Sequence, residues 1–517
     1  MNQSDNKIFF AVDRGGTFTD VFAVHGSRVY TEKLLSEDPA NYADAPGEGI
    51  RRIIERISGR PIPVGDIPTD LIGHIRMGTT VATNALLERN GEPCCLVITK
   101  GFGDLLHIGQ QNRPELFKLN IHKTKPLHHL VLEVEERVRP VGPWDRDEKL
   151  EIVTGTGGDL FVLVCKPDPS RVREQLQEVY DRGIRSLAIV LMHGHNYRDH
   201  EILIGGIARS LGFTHVSLSH EVMPRIRIVG RGDTTCVDAY LTPHISRYLQ
   251  GFRRGFHPSI SRIPIQFMQS DGGLINGERF TGSNAILSGP AGGVCGYAAV
   301  TYELLGKKPV IGFDMGGTST DVSRFAGRYE LIHETETAGI RVQAPQIEIC
   351  TVAAGGGSRL FYRNSMFEVG PQSAGAHPGP VCYRKNGHLA VTDANLFLGR
   401  LQPDYFPAIF GPGEDQPLGH EQTQQSFLAL SYEINRDLAA TGKQVLSPEE
   451  IALGFLDVAN EVMVRPIREI SVMRGYNIQD HVLACFGGAG GQHSCAVAAK
   501  LGISRVFVHR YSGILSA

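Results

Sequence analysis

Apolar and polar positions fall into alternating blocks along the chain, and from about residue 170 the blocks are long enough to assign. SRVREQLQEVYDRG has the spacing of an amphipathic helix ending at Gly183, and IRSLAIVLM is an apolar run of strand length. DHEILIGGIARSLG returns to helical spacing and THVSLS to strand. Helix and strand in alternation predict α/β architecture. Toward the C-terminus Ser447, Pro448 and Glu450 supply an N-cap, a first-turn proline and a capping-box partner, opening a long helix that stops at Gly475. The strand HVLACF, the turn GGAGGQH, a small-residue helix closing at Gly502 and the strand SRVFVH follow. Two further apolar runs, at 8–12 and 309–313, each lead through a short polar turn into another apolar run, which predicts strand, tight turn and returning strand. Residues 217–235 break the rhythm and are the expected hinge between an N-terminal domain, 8–216, and a C-terminal domain, 235–517. The glycine- and proline-rich stretch 353–415 predicts binding loops rather than disorder, given its apolar content.

Length and charge narrow the function classes. A chain of 517 residues is too long for one core of ordinary size, so about two to four domains are expected. Lys+Arg 52 against Asp+Glu 55 removes any compositional argument for nucleic acid or an anionic membrane as partner. MNQSDNKIFF lacks the pattern of a secretory signal, and no apolar run approaches the length a bilayer requires, so a soluble, cytoplasmic protein is expected. The nine cysteines show no Cys-x-x-Cys spacing and Cys94 and Cys95 are adjacent, which points to reduced thiols rather than a zinc cage or a disulfide framework.

The two predicted hairpins share a motif. AVDRGGTFTDVFA, 11–23, and FDMGGTSTDVS, 313–323, align Asp13 with Asp314, Gly15 with Gly316, Gly16 with Gly317, Thr17 with Thr318, Thr19 with Thr320 and Asp20 with Asp321. Glycines let backbone N–H groups converge on anionic oxygens, and threonine hydroxyls add donors to the same nest. Carboxylates beside a polyphosphate require a hard cation between them, so Asp13, Asp20, Asp314 and Asp321 are candidate Mg²⁺ ligands, acting largely through water. Two ordinary hairpins would explain the glycines but leave the threonines and aspartates without a task. Arg14 is placed to touch a phosphate or else is simply exposed; Met315 occupies the same slot in the second copy.

The doubled hairpin resembles the actin, hexokinase and heat-shock-chaperone superfamily, an ATPase clamp of two related α/β domains. In that superfamily a third glycine-rich turn holds the nucleoside end; Gly487, Gly488, Gly490 and Gly491 stand in the matching strand–turn–helix order. A Rossmann turn is disfavoured by the glycine spacing and by the lack of a strand-ending acid about twenty residues on. The stretches LLSEDPANYADAPGEGIRRI, IRMGTTVATNALLERNG, SDGGL, LSGPAGGV, TVAAGGGSRLF and GPQSAGAHPGPVCYR are similar to the hydantoinase/oxoprolinase family, to its A-type half and its eukaryotic-type, ATP-hydrolysing branch above all. That resemblance implies ATP-dependent opening of 5-oxo-L-proline to L-glutamate in the glutathione cycle, with Mg²⁺ and K⁺, a small lactam as substrate and a hydantoinase B-like second half as partner. The oligomeric state stays open, a homodimer included.

Other residues carry two readings each. Asp271 in SDGG and His377 in GAHPGP stand in motifs of the resembling family and are candidate proton-transfer groups, or else side chains that stabilise turns. Arg359 beside AAGGGS is a charged partner for phosphate or carboxylate, or part of a sharp turn. His193, His195 and His200 are expected on a surface loop rather than in a metal site. Besides the oxoprolinase reading, a hydantoinase or an acetone-carboxylase-type component and a non-catalytic nucleotide-binding chain remain. At the end of the chain SGILSA reads as the start of a helix with Ser512 as N-cap, so the chain is expected to be a short isoform or fragment that binds ATP without by itself coupling it to lactam opening.

Overall fold

A computed structural model describes residues 7–39, 41–110, 117, 119–120, 124–145, 149–413 and 415–517. Residues 1–6, read above for a secretory signal, lie outside them. No helix among the described residues is long and apolar enough to cross a membrane.

The architecture is mixed α/β, and two of its sheets share one strand plan. In the first, Arg28–Leu35, Phe18–His25 and Ile8–Arg14 form an antiparallel meander, which Ile72–Thr79 and then Ile265–Met268 extend in parallel. An antiparallel edge, Leu274–Asn276, is added there. In the second, Ile349–Val352, Thr320–Phe325 and Val310–Met315 form the meander and Val482–Phe486 and Val506–Val508 the parallel extension. The hairpins also share their register: Asp13 pairs with Asp20, and Asp314 with Asp321. Alternation does the folding here. Ile8, Phe10 and Val12 are buried on one face, in the same core as Ile50, Ile53 and Ile54 of helix Ala45–Ser58.

Inserted in sequence between the first sheet's strands Ile72–Thr79 and Ile265–Met268 lies a third, wholly parallel sheet, ordered His215–Leu218, Ser186–Val190, Cys94–Thr99, Leu130–Val134. Its central strands are buried along their length, as continuous apolar runs require. The expected helices are present as Pro169–Asp181 and Asp199–Leu211, the latter ended by Gly212 in the left-handed region. The helix opened by Ser447 runs from Pro448 to Ile470 with both capping-box hydrogen bonds formed. It stops short of Gly475, which instead closes the 3₁₀ turn Val472–Arg474.

Three expectations need correcting. The 217–235 stretch is not irregular: a short helical turn, Ser219–Val222, precedes the 27-residue helix Ile228–Arg254, whose first turns are buried. Its polar residues mimic a loop in sequence, yet they are satisfied internally. Arg231, fully buried, donates to the carbonyls of Leu191 (2.6 Å) and Arg225 (2.9 Å), while Thr234 and Thr235 donate back to Gly230 and Arg231. The chain then returns to the first sheet through 265–276. His200 is buried rather than on the surface, its Nδ1 2.7 Å from Glu136, and His193 and His195 are half-buried. The carboxylate that pins His200 comes from a strand-end 64 residues earlier, beyond reach of local reading. Ser512 caps no α-helix: a 3₁₀ turn, Ser512–Ile514, follows Tyr511, and the next residues pack on helix Ser288–Thr301, where glycines leave room for them.

Candidate functional site

Both hairpins turn in the same way, the Gly15 N–H donating to the Phe18 carbonyl (3.1 Å) and the Gly316 N–H to that of Ser319 (3.0 Å). Their tips meet: a β-carbon on Gly317 would lie 3.2 Å from Thr17 Oγ1. A cleft opens at this junction, lined by Gly15, Gly16 and Thr17 of one hairpin, Gly316, Gly317 and Thr318 of the other, and Gly487 and Gly488 of the late turn. Gly487 cannot be otherwise, because its φ is +81° and a β-carbon would stand 2.2 Å from Asp314 Oδ1. Helix Ser288–Thr301 spans the floor. Gly289 brings its backbone against Asp13 and Gly293 against Asp314; added β-carbons would lie 3.5 and 3.3 Å from those carboxylates.

Four carboxylates, Asp13, Asp20, Asp314 and Asp321, line this one cleft. Burial, then the neighbouring charge of Asp20, pushes Asp13 up to about 7 against the pull of Lys33. Asp321 is pushed up to about 6, chiefly by burial, while burial and then the Asp321 and Asp13 charges raise Asp314. Asp20 is raised by burial but restrained by Lys33, whose Nζ lies 2.5 Å from its Oδ1. One lysine among four acids leaves excess negative charge, and Asp13 Oδ1 is enclosed without a hydrogen-bond partner. Such a donor set suits a hard cation. Among the described residues no three acidic, histidine or cysteine side chains form a ready-made metal cage, so a cation here would take further ligands from water or a bound anion.

Not every residue of the motif faces the cleft. Thr19 and Thr320 are fully buried behind the hairpins, Thr19 sharing a hydrogen bond with Ser36 (3.0 Å) and Thr320 donating to the Ala354 carbonyl. They hold the loops that support each tip. Gly490 is buried in the turn and Gly491 is exposed, neither lining the cleft. Arg14 lies on the opposite strand face from Asp13. Asp271 accepts from the Gly273 N–H (2.8 Å) in a turn, and His377 is exposed; neither reaches the cleft. The AAGGGS loop packs on the second hairpin, its Gly356 and Gly357 N–H groups donating to the Gly316 and Gly317 carbonyls, and Gly356 lines the cleft. Arg359 points away toward His388.

Sequence reasoning missed Lys33, Thr80, Gly289 and Thr392, all of which line the cleft. Lys33 joins from the next strand, where it pairs directly across from Asp20. Thr80 belongs to GTTVATN and Gly289 to LSGPAGG, stretches singled out only for their resemblance.

Comparison with known proteins places the chain. The profile of the hydantoinase/oxoprolinase family matches residues 231–517, and that of the hydantoinase/oxoprolinase N-terminal region matches 9–212. The 5-oxoprolinase of Dictyostelium discoideum is 52% identical over 99% of this chain and 42% of its own length. The 5-oxoprolinase 1 of Arabidopsis thaliana is 54% identical over 99% of this chain and 41% of its own. The chain thus spans about two fifths of the length of these relatives. Among solved structures, the ATP-dependent caprolactamase of Pseudomonas jessenii superposes with a TM-score of 0.74 at 30% identity, over 98% of this chain and 70% of that one.

Proposed function

The chain belongs to the hydantoinase/oxoprolinase family, and on that premise we propose that it binds Mg²⁺ and ATP between the two hairpins and phosphorylates the carbonyl oxygen of a small cyclic amide. The relatives' names indicate 5-oxo-L-proline as that amide. The observation that carries the reading is the convergence of two hairpins of equal register, four carboxylates and the Gly487–Gly488 turn on one cleft. The equal strand plan of the two sheets supports an actin-like clamp with one lobe on each sheet. Residues 8–216 and 235–517 are its sequence domains, the second lending strands 265–276 to the first lobe.

The chemistry explains the need for ATP. A lactam is a resonance-stabilised amide; transfer of the γ-phosphoryl group to its carbonyl oxygen, with ADP released, makes that oxygen a leaving group. Water then adds at that carbon and the ring C–N bond breaks, leaving an acyl phosphate, which a second water hydrolyses to the open amino acid and inorganic phosphate. Positioning and charge neutralisation dominate such a transfer. Gly15, Gly16, Gly316 and Gly317 offer N–H donors, Thr17 and Thr318 hydroxyls, and Gly487 and Gly488 a close approach for the nucleoside. Asp13, Asp20, Asp314 and Asp321 would hold Mg²⁺, which when bound offsets the charge of phosphate oxygens. The relatives' additional length fits a hydantoinase B-like half that completes the hydrolysis.

The test supplies the chain with Mg²⁺, K⁺, ATP and, in turn, 5-oxo-L-proline, a hydantoin or a ketone, and reads ADP and glutamate separately. Turnover of ATP stimulated by 5-oxo-L-proline alone is expected. Stimulation by the hydantoin or ketone instead would reassign the substrate, and failure to bind Mg·ATP would overturn the reading.

A further inference from the structure

We propose that Arg14 is a specificity-determining residue: its guanidinium holds a carboxylate on the lactam and so selects an amino-acid-derived ring over a neutral one. This rests on the hairpins holding ATP as proposed above.

Strand alternation sets Asp13 and Arg14 on opposite faces of the first sheet. Asp13 faces helix Ser288–Thr301 and the cleft, so Arg14 faces the other side of the sheet with Val12. There it meets helix Ile228–Arg254, its guanidinium 5.1 Å from the centroid of the Tyr248 ring. The matched position in the second hairpin is Met315, fully buried in the core. A methionine therefore serves the hairpin fold, and the charge in the first copy needs another reason.

Among the described residues no ion pair supplies that reason. Arg14 Nε is enclosed without a hydrogen bond. Asp44, whose carboxyl feels the Arg14 charge, is engaged as N-cap of helix Ala45–Ser58, accepting from the Gly47 N–H at 2.8 Å. A guanidinium whose Nε–H is enclosed without an acceptor carries a cost that is recovered when an anionic ligand arrives. Arg14, Thr80, Asn84, His244 and Tyr248 are each only partly buried, so ligand has access.

A phosphate is the poorer occupant. The glycine N–H groups and carboxylates that suit Mg²⁺ and phosphate lie at the tips and on the Asp13 side. The Arg14 side nevertheless joins the cleft through Thr80, which lines it and whose Oγ1 donates to the Arg14 carbonyl (3.2 Å). Asn84, next on that helix face, brings its Nδ2 to 3.5 Å from Thr80 Oγ1 and lies against Gly16. A small ligand with a carboxylate on Arg14 would thus have its ring beside the first hairpin, and a planar guanidinium suits a carboxylate's two oxygens.

Calorimetric titrations of 5-oxo-L-proline and the neutral 2-pyrrolidinone, with and without a non-hydrolysable ATP analogue and Mg²⁺, test this on the wild type, Arg14→Met and Arg14→Lys. Methionine is chosen because the matched slot already accommodates it. Wild type is expected to prefer 5-oxo-L-proline by about ten-fold or more, Arg14→Met to lose that preference and Arg14→Lys to keep part of it. Analogue affinity should stay within about two-fold in all three, since Arg14 faces away from the tips. The proposal is overturned if Arg14→Met keeps the preference, if wild type shows none, or if Arg14→Met loses nucleotide affinity instead. Wild-type failure to bind the analogue would count against the ATP reading, because the lactam titrations stand separately.

Discussion

Asp13 and Asp314 hold matched positions in the two hairpins, and both are held above the usual carboxylate range by burial first and then by neighbouring carboxylates, Asp20 beside Asp13 and Asp321 beside Asp314. Replacing either by asparagine removes a charge that a cation would need while relieving a buried repulsion. Asp13→Asn and Asp314→Asn should therefore each weaken Mg²⁺-dependent binding of an ATP analogue by about ten-fold or more without lowering the melting temperature. Wild-type affinity in both variants would remove the clamp assignment. Thr320 predicts the reverse pattern. Its hydroxyl satisfies the Ala354 carbonyl behind the tip, so Thr320→Val should cost about 1–3 kcal/mol in urea unfolding while leaving analogue affinity nearly unchanged. The distinction between these residues was only half legible in the sequence. The motif lies within eight consecutive residues, so its chemistry could be read locally; which threonines face ligand depends on strand alternation against the supporting loops. Lys33 was hidden for a related reason, since it joins the site from the next strand.

The late glycine turn owes its place to elements distant in sequence. His493, at its end, is buried between helix Val391–Phe397 and helix Pro448–Ile470, with Asn460 Oδ1 2.8 Å from its Nδ1 and Asn395 Nδ2 2.9 Å from its Nε2. Burial lowers it to about 4, with Arg400 adding to the effect. The sign follows directly. Between about 4 and 6.5 the unfolded chain carries a proton on this histidine that the folded chain excludes, so its contribution is intact above about 6.5 and lost as pH falls toward 4. Up to about 3 kcal/mol is at stake. Urea unfolding across this range should show a steeper acid loss in wild type than in His493→Gln, and parallel curves would refute the role. Capped, periodic elements such as Pro448–Ile470 were readable because their signals are local. Helix Ile228–Arg254 was not, because Arg231 and its neighbouring threonines find their partners in other elements or in the helix's own preceding turn.

At the scale of the molecule, the two matched sheets meet through helix Ser288–Thr301 and the hairpin tips, where Gly317 stands against Thr17. The repeated motif made the doubling visible in sequence, but not the return of 265–276 to the first sheet, since strand order is fixed by long-range pairing rather than by periodicity. If each lobe carries one hairpin, tips in contact describe the closed arrangement, and a nucleotide must enter before the tips close on it. Helix Ser288–Thr301 suits that motion, because its Gly289 and Gly293 let it sit directly against Asp13 and Asp314 and move with either sheet. Small-angle scattering should therefore give a more extended particle without ligand. With saturating Mg²⁺ and a non-hydrolysable ATP analogue, the profile should contract to that calculated from the closed structure. An identical profile in both conditions would mean that the lobes form one rigid body and that nucleotide reaches the cleft by movement of the tips alone. In that case Gly317→Val, which would crowd Thr17, should abolish binding outright rather than merely hold the particle open.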